Sequence, residues 1–222
     1  HEHKFVHVVY DEQECEDGYE KLKERLKNDT YLKLNYKNVK VATHTQNIVY
    51  VPKELFNENE IALYTKFFAD ADSQNIYVQP SLKQNIYTVF SQPYSIEKVI
   101  NDNWQQSIKL EQYAGLIELT TMINEETIII DFTVSSFQFV YIKDSKIAFT
   151  QNYQFEDAEE LTYYLLLIVN QLNINVQQVA LNACGIINDG DIKWNLLTTY
   201  FNKVEMLHIV SDLDTTILDD MP

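Results

Sequence analysis

Among the residues able to do chemistry, the carboxylate Asp131 has the most defined setting: it ends the apolar run Ile128-Ile129-Ile130 and precedes the turn Phe132-Thr133-Val134-Ser135-Ser136. On its own terms such a residue caps its turn through an Asx bond. With Glu159 and Asp189 it would make the carboxylate set that a two-metal nuclease needs to converge, although acidic residues near helix starts are expected for dipole reasons alone. His1, His3 and His7 alternate and would share one strand face. They lack Cys or carboxylate partners at ligand spacing and read as solvent-side residues, so no metal set is assigned. Cys15 and Cys184 form no motif and read as reduced, unpaired thiols. Only four glycines occur in 222 residues. Phosphate-gripping loops need several, because backbone N–H groups must approach the anion with no Cβ in the way.

The elements that would position these groups are clearest from Thr127 to Ile209. Ile128–Ile130, then Phe137, Phe139 and Tyr141, then Ile147 and Phe149 give three successive strands. The polar tetrad Lys143-Asp144-Ser145-Lys146 joins the last two as a hairpin. A helix is predicted from about Asp157 to Leu172, with Leu161, Tyr164, Leu165, Ile168 and Leu172 as its apolar stripe and acidic residues in its first turn. Asn173 to Asn175 ends it. A strand runs from there to Cys184-Gly185, then a short helix through Ile192, Leu196 and Tyr200, then a strand from Val204 to Val210. The order βββαβαβ resembles one ribonuclease H-like lobe, the unit that actin-like ATPases use twice.

The first half is less regular. A strand is expected at Phe5–Val9, an acidic turn at Asp11–Asp17, and a helix from Tyr19 through Leu22 and Leu26 to Asn28-Asp29. Short strands at Val39–Thr43 and Ile48–Val51 flank the polar turn His44–Asn47. Asn57 would cap a helix running to Phe68, with Glu60 as capping-box partner. Strands at Ile76–Val78 and Ile86–Phe90 and helices at Ser95–Trp104 and Glu111–Asn124 complete it. The expected organisation is a first lobe over 1–124 carrying a small α+β insert at about 57–104, a second lobe over 125–210, and an acidic tail over 211–222.

Two segments carry a family resemblance. Gln151 to Leu165 resembles the "N-x-F-x-(acidic)-x-x-D-F-x-Y-Y" segment of a bacterial family of unknown function with an actin-like ATPase fold. Val51-Pro52-Lys53-Glu54-Leu55-Phe56 resembles its "V-P-x-x-L-F" segment. The resemblance implies an α/β chain of two ribonuclease H-like lobes, mixed sheets flanked by helices, with the first lobe truncated. It also implies similarity to the cytoplasmic actin-like proteins that assemble pilus and secretion machinery, and no established activity or catalytic residue. In such lobes an Asp-x-Gly turn after the first strand meets the nucleotide phosphates and metal-bound water, and a Gly-Gly after the fourth strand lies under adenosine. Here the turn reads Asp131-Phe132-Thr133, with a branched residue in the glycine position, and only Gly185 of the pair remains. Asp131, Thr133 and Gly185 are thus the residues that would hold ATP with magnesium in the inter-lobe cleft, if a nucleotide is bound. The first-lobe phosphate hairpin has no room ahead of the first helix.

A net charge of −16 argues against nucleic acid and anionic lipid as partners and leaves basic proteins or cations. No apolar run reaches the ~20 residues of a membrane span, and no signal-peptide pattern is read. His208 to Thr216 resembles the strand plus Asp-x-Asp-x-Thr opening of haloacid-dehalogenase-type phosphatases. That motif begins a domain rather than ending one, so the match is read as chance and the tail as solvated. The leading expectation is a cytoplasmic, non-catalytic scaffold or adaptor working through protein contacts. The rival is a nucleotide-binding switch or weak ATPase.

Overall fold

The structure is a computed structural model that describes residues 18–69, 75–81, 83–92 and 94–207. The histidines at 1, 3 and 7, the first strand, the acidic turn with Cys15, residues 208–210 and the acidic tail with its Asp-x-Asp match lie outside the described residues. The chain divides into two compact units between Ile117 and Glu118.

In the earlier unit, α1 (Gly18–Asn28) runs where Leu22 and Leu26 require. The strands β1 (Lys40–Thr43) and β2 (Ile48–Pro52) do not pair with each other. β1 pairs in parallel with β5 (Ile108–Glu111), giving a two-stranded sheet. β2 joins a three-stranded antiparallel sheet with β3 (Ile76–Ser81) and β4 (Ile86–Ser91), in the order β2-β4-β3. The strands of the 57–104 segment are therefore hydrogen-bonded to a strand outside it. Pro80 sits in β3, an edge strand, where a missing N–H costs nothing to the ladder. Asn57 does cap, accepting from Asn59 N at 3.1 Å, but it caps only a 3-10 turn, and the chain then makes the single α-turn α2 (Ile61–Tyr64). The helices α3 (Tyr94–Asn103) and α4 (Ala114–Thr120) flank β5.

The later unit is one five-stranded sheet in the order β10-β9-β6-β7-β8, built from β6 (Thr127–Phe132), β7 (Ser136–Lys143), β8 (Lys146–Gln154), β9 (Ala180–Gly185) and β10 (Lys203–Met206). β6, β7 and β8 are antiparallel neighbours, while β9 pairs in parallel with β6 and β10 with β9. This is the βββαβαβ lobe expected from the sequence. The β7–β8 turn has Asp144 and Ser145 both at positive φ, the backbone a two-residue hairpin demands. Between the β segments run α5 (Ala158–Gln171) and α6 (Ile192–Tyr200). Ile128, Ile130 and Phe132 of β6 and Phe137, Phe139 and Tyr141 of β7 pack with Leu161, Leu165 and Ile168 of α5 and Leu197 of α6. The alternate residues Ile129, Val140 and Ile142 are equally buried on the other side of the sheet. A sheet buried on both faces explains why β7 reads as a nearly continuous apolar run.

Candidate functional site

The parallel pairing of β6 with β9 places Asp131 opposite Cys184 and Phe132 opposite Gly185 at the strands' C-terminal ends. Ends of parallel strands are where open α/β sheets bind ligands, since loops leave both strands on the same side. Asp131 and Gly185 are thus brought together as the sequence suggested, and Thr133 lies one residue beyond β6.

Gly185 has φ +81°, and a Cβ there would lie 2.1 Å from Phe132 O and 2.4 Å from Asp131 Oδ1. Glycine is required twice over, by backbone conformation and by contact. The close approach lets Ile186 N donate to Phe132 O at 2.7 Å, which locks the loop after β9 onto the end of β6.

Asp131 is largely buried, and burial pushes its carboxyl above the ordinary carboxylate range, opposed by the hydrogen bond that the Cys184 thiol donates. The thiol is pushed up to about 12 by burial first and then by the Asp131 charge and hydrogen bond. It stays protonated at neutral pH and is a donor to the carboxylate, not a nucleophile. Opposite Asp131 on β7 stands Gln138, fully buried, its Nε2 donating to Thr150 Oγ1 at 2.7 Å and its Oε1 without a partner.

Thr133, rather than Asp131, closes the turn. Its Oγ1 accepts from Ser136 N at 3.0 Å and pairs with Ser136 Oγ at 2.7 Å, while Thr133 N donates to Ser136 O at 2.9 Å. The branched residue keeps negative φ, and its own hydroxyl takes up the Ser136 N–H. On the other loop, Ile187 N donates to Gly185 O at 3.0 Å and Asn188 N to Asp191 Oδ2 at 2.9 Å. Five loop N–H groups, those of Thr133, Ser136, Ile186, Ile187 and Asn188, are therefore engaged within the protein.

The residue that sequence reasoning missed is Lys193. Its Nζ donates to Thr133 O at 3.0 Å and to Ile186 O at 2.8 Å, tying the β6–β7 loop to the β9–α6 loop. The ammonium also stands 5.3 Å from the Phe132 ring centre and 5.7 Å from that of Phe155, within cation–π range. Burial lowers its pKa, with Asp191 opposing. Asp191 N-caps α6, accepting from Trp194 N at 2.8 Å. A signal was present in the sequence: a lysine in the first turn of a helix opposes the helix dipole, and such a charge needs another reason to be there.

Glu159 lies in the first turn of α5 and Asp189 in the loop before α6. Among the described residues no three His, Cys, Asp or Glu side chains converge so as to hold a metal ion. Nor is any helix there long and apolar enough to cross a membrane.

None of the curated proteins compared with the chain matches it. Among solved structures it is similar to a Bacteroides thetaiotaomicron protein with actin-like ATPase fold and unknown function, at 18% identity and a TM-score of 0.76, covering 85% of this chain and 76% of that one. That likeness shows the actin-like ATPase fold. A PilM–PilN type IV pilus biogenesis complex aligns at 13% identity and a TM-score of 0.49, over 85% of this chain and 74% of that one. The cytoplasmic domain of EpsL from the Vibrio cholerae type II secretion system aligns at 12% identity and 0.41, over 82% and 79%. The model of one family spans residues 3–204, and the chain belongs to that family, described as Protein of unknown function (DUF3822).

Proposed function

We propose that this protein is a non-catalytic, cytoplasmic scaffold or adaptor of the actin-like fold that acts through protein contacts. The supporting observation is the Lys193 ammonium, held between Thr133 O and Ile186 O at 3.0 and 2.8 Å. A triphosphate site presents N–H donors and needs its carbonyls turned away. Here two carbonyls point at an internal cation, and five of the neighbouring N–H groups are used within the loops. Opening such a site would break two charge-assisted hydrogen bonds, each worth roughly 1.5–3 kcal/mol.

The test is calorimetric titration with Mg-ATP. The scaffold reading expects no saturable heat with ATP up to millimolar concentrations. Micromolar binding that Asp131→Ala abolishes would overturn it. A nucleotide-switch reading has one observation in its favour, the retained left-handed Gly185 packed on the Asp131 carboxyl. It expects millimolar Mg-ATP to raise the melting temperature, since a ligand specific to the folded state stabilises it. An unchanged melting curve would sink that alternative, and crosslinked capture from the native host would then identify the protein partner.

A further inference from the structure

The earlier unit contains a cavity of about 390 Å³, bounded by α1, by the 32–37 segment after it, and by the turn between α3 and β5. That volume lies in the range of small-ligand sites. Its walls depart from the rest of the molecule in charge. The chain carries 33 acidic against 17 basic residues, yet among the described residues the lining includes Lys33 and Lys37 and no acidic side chain. Leu26 supplies an apolar surface, and Tyr36 and Trp104 bring two aromatic rings to the same walls.

Tyr36, Lys33 and the Trp104 backbone are held in place locally. Tyr36 Oη donates to Tyr31 O at 2.8 Å, and Lys33 Nζ donates to Lys27 O at the C-terminal end of α1. Trp104 N donates to Ile100 O at 2.7 Å, and Ser107 N donates to Trp104 O at 2.8 Å, so the indole stands on a closed turn. Lys37 is exposed. Ser107, in the same wall, is about nine-tenths buried, and its Oγ has no hydrogen-bond partner.

We infer that this cavity is a binding site for a small planar organic anion, a ring bearing a carboxylate or phosphate, with Tyr36 and Trp104 receiving the ring and Lys37 and Lys33 the charge. Aromatic walls favour a flat π-system, and ammonium groups favour a compact oxyanion. A free inorganic anion would leave the aromatic and apolar walls unused. A neutral ring would leave the cations unused. The site owes nothing to the Asp131 loops, so it stands whether or not the scaffold reading does.

The protein has two tryptophans, so Trp194→Phe makes Trp104 the sole indole reporter. Calorimetric titration of that protein with phenyl phosphate and with benzoate should show saturable binding, accompanied by a change in Trp104 emission. Benzyl alcohol and inorganic phosphate should each bind at least roughly tenfold more weakly, and Lys37→Gln should weaken phenyl phosphate by about tenfold, the effect of losing one charge-assisted contact. No saturable binding of either ring-bearing anion would overturn the assignment. So would binding that leaves Trp104 emission unchanged, binding indifferent to Lys37→Gln in a variant of unaltered circular dichroism, or inorganic phosphate binding as tightly as phenyl phosphate.

Discussion

Gly185 and Gly190 share φ +81° but differ in surroundings, and the difference isolates what each glycine is for. At Gly190 a Cβ would meet nothing within 4 Å, so Gly190→Ala incurs only left-handed strain, about 1 kcal/mol. At Gly185 the same methyl would press on Phe132 O and Asp131 Oδ1, so Gly185→Ala should cost more than about 2 kcal/mol and separate the ends of β6 and β9. Urea midpoints of the two variants test this, and equal destabilisation would contradict it. A glycine needed here shows how far the sequence could be read. Asp131 and Gly185 were identifiable because a strand end and a lone glycine stand out in a glycine-poor chain. Lys193 offered only the hint of a cation in a helix's first turn, since nothing along the chain indicates that a side chain at 193 reaches back sixty residues to a carbonyl at 133. Long-range partners of a flexible side chain depend on the closed loops, and those exist only after the sheet has formed.

Glu111 gives the residue scale a pH signature. It ends β5 with no exposed surface, accepts from Tyr113 N, and has its Oε1 unpartnered, while the buried Tyr50 hydroxyl, likewise unpartnered, is pushed well above its usual value by burial and then by the Glu111 charge. Burial raises Glu111 from 4.5 to about 7, against the opposing Tyr113 hydrogen bond. The folded state therefore holds this proton where the unfolded state has released it. Below about 4.5 both states are protonated and nothing is lost; from there to about 7 stability falls as pH rises; above about 7 the loss is complete. The loss is of order 3 kcal/mol. Glu111→Gln should flatten that part of the stability–pH curve, read by urea denaturation at a series of pH values. An unchanged slope in the variant would assign the effect to other groups.

At the scale of elements, α5 was legible to its ends because both signals are local. Asp157 accepts from Glu160 N at 2.8 Å, and Glu160 Oε2 accepts from Glu156 N at 2.9 Å, a reciprocal cap written in three neighbouring acids. At the other end Asn173 takes φ +52°, Ile174 N donates to Val169 O at 3.0 Å and Asn173 N to Asn170 O at 3.3 Å, a Schellman closure with asparagine in the left-handed position. Asp157→Ala should cost about 1 kcal/mol in urea denaturation, with Asp157→Asn recovering most of it; equal losses in both would assign the effect to charge rather than capping. The element that escaped the sequence is β5. Ile108-Lys109-Leu110-Glu111 alternates over only four residues, and Glu111 followed by an apolar run imitates the acidic start of a helix. Glu111 instead ends a strand whose parallel partner residue, Thr43, lies 68 positions earlier, a pairing no local pattern encodes. The later unit was readable for the converse reason. Its strands β6, β7 and β8 are sequential antiparallel neighbours, so sequence order and spatial order agree.

For the molecule as a whole, the dominant quantity is a net charge of −16 on 222 residues. Among the described residues Lys23–Glu20 and Arg25–Asp29 pair at 2.9 and 3.1 Å within or at the end of α1, local helix pairs worth less than about 1 kcal/mol each. With 33 acidic against 17 basic residues, the net repulsion acts over a Debye length that shrinks from about 30 Å at 0.01 M salt to about 8 Å at 0.15 M. Adding sodium chloride across that range should raise the thermal midpoint; a fall would mean that attractive pairs dominate after all. Because the chain forms two compact units, the melt is to be followed by tryptophan emission and circular dichroism together, since a single midpoint is defined only if the two coincide. The same field bears on the partner. Duplex DNA should give no retarded band even at low salt, whereas a basic protein surface would associate with a rate that falls steeply as salt rises. A partner captured from the host whose association rate is indifferent to salt would place the contact on an uncharged surface, and the acidic character of the chain would then serve solubility rather than recognition.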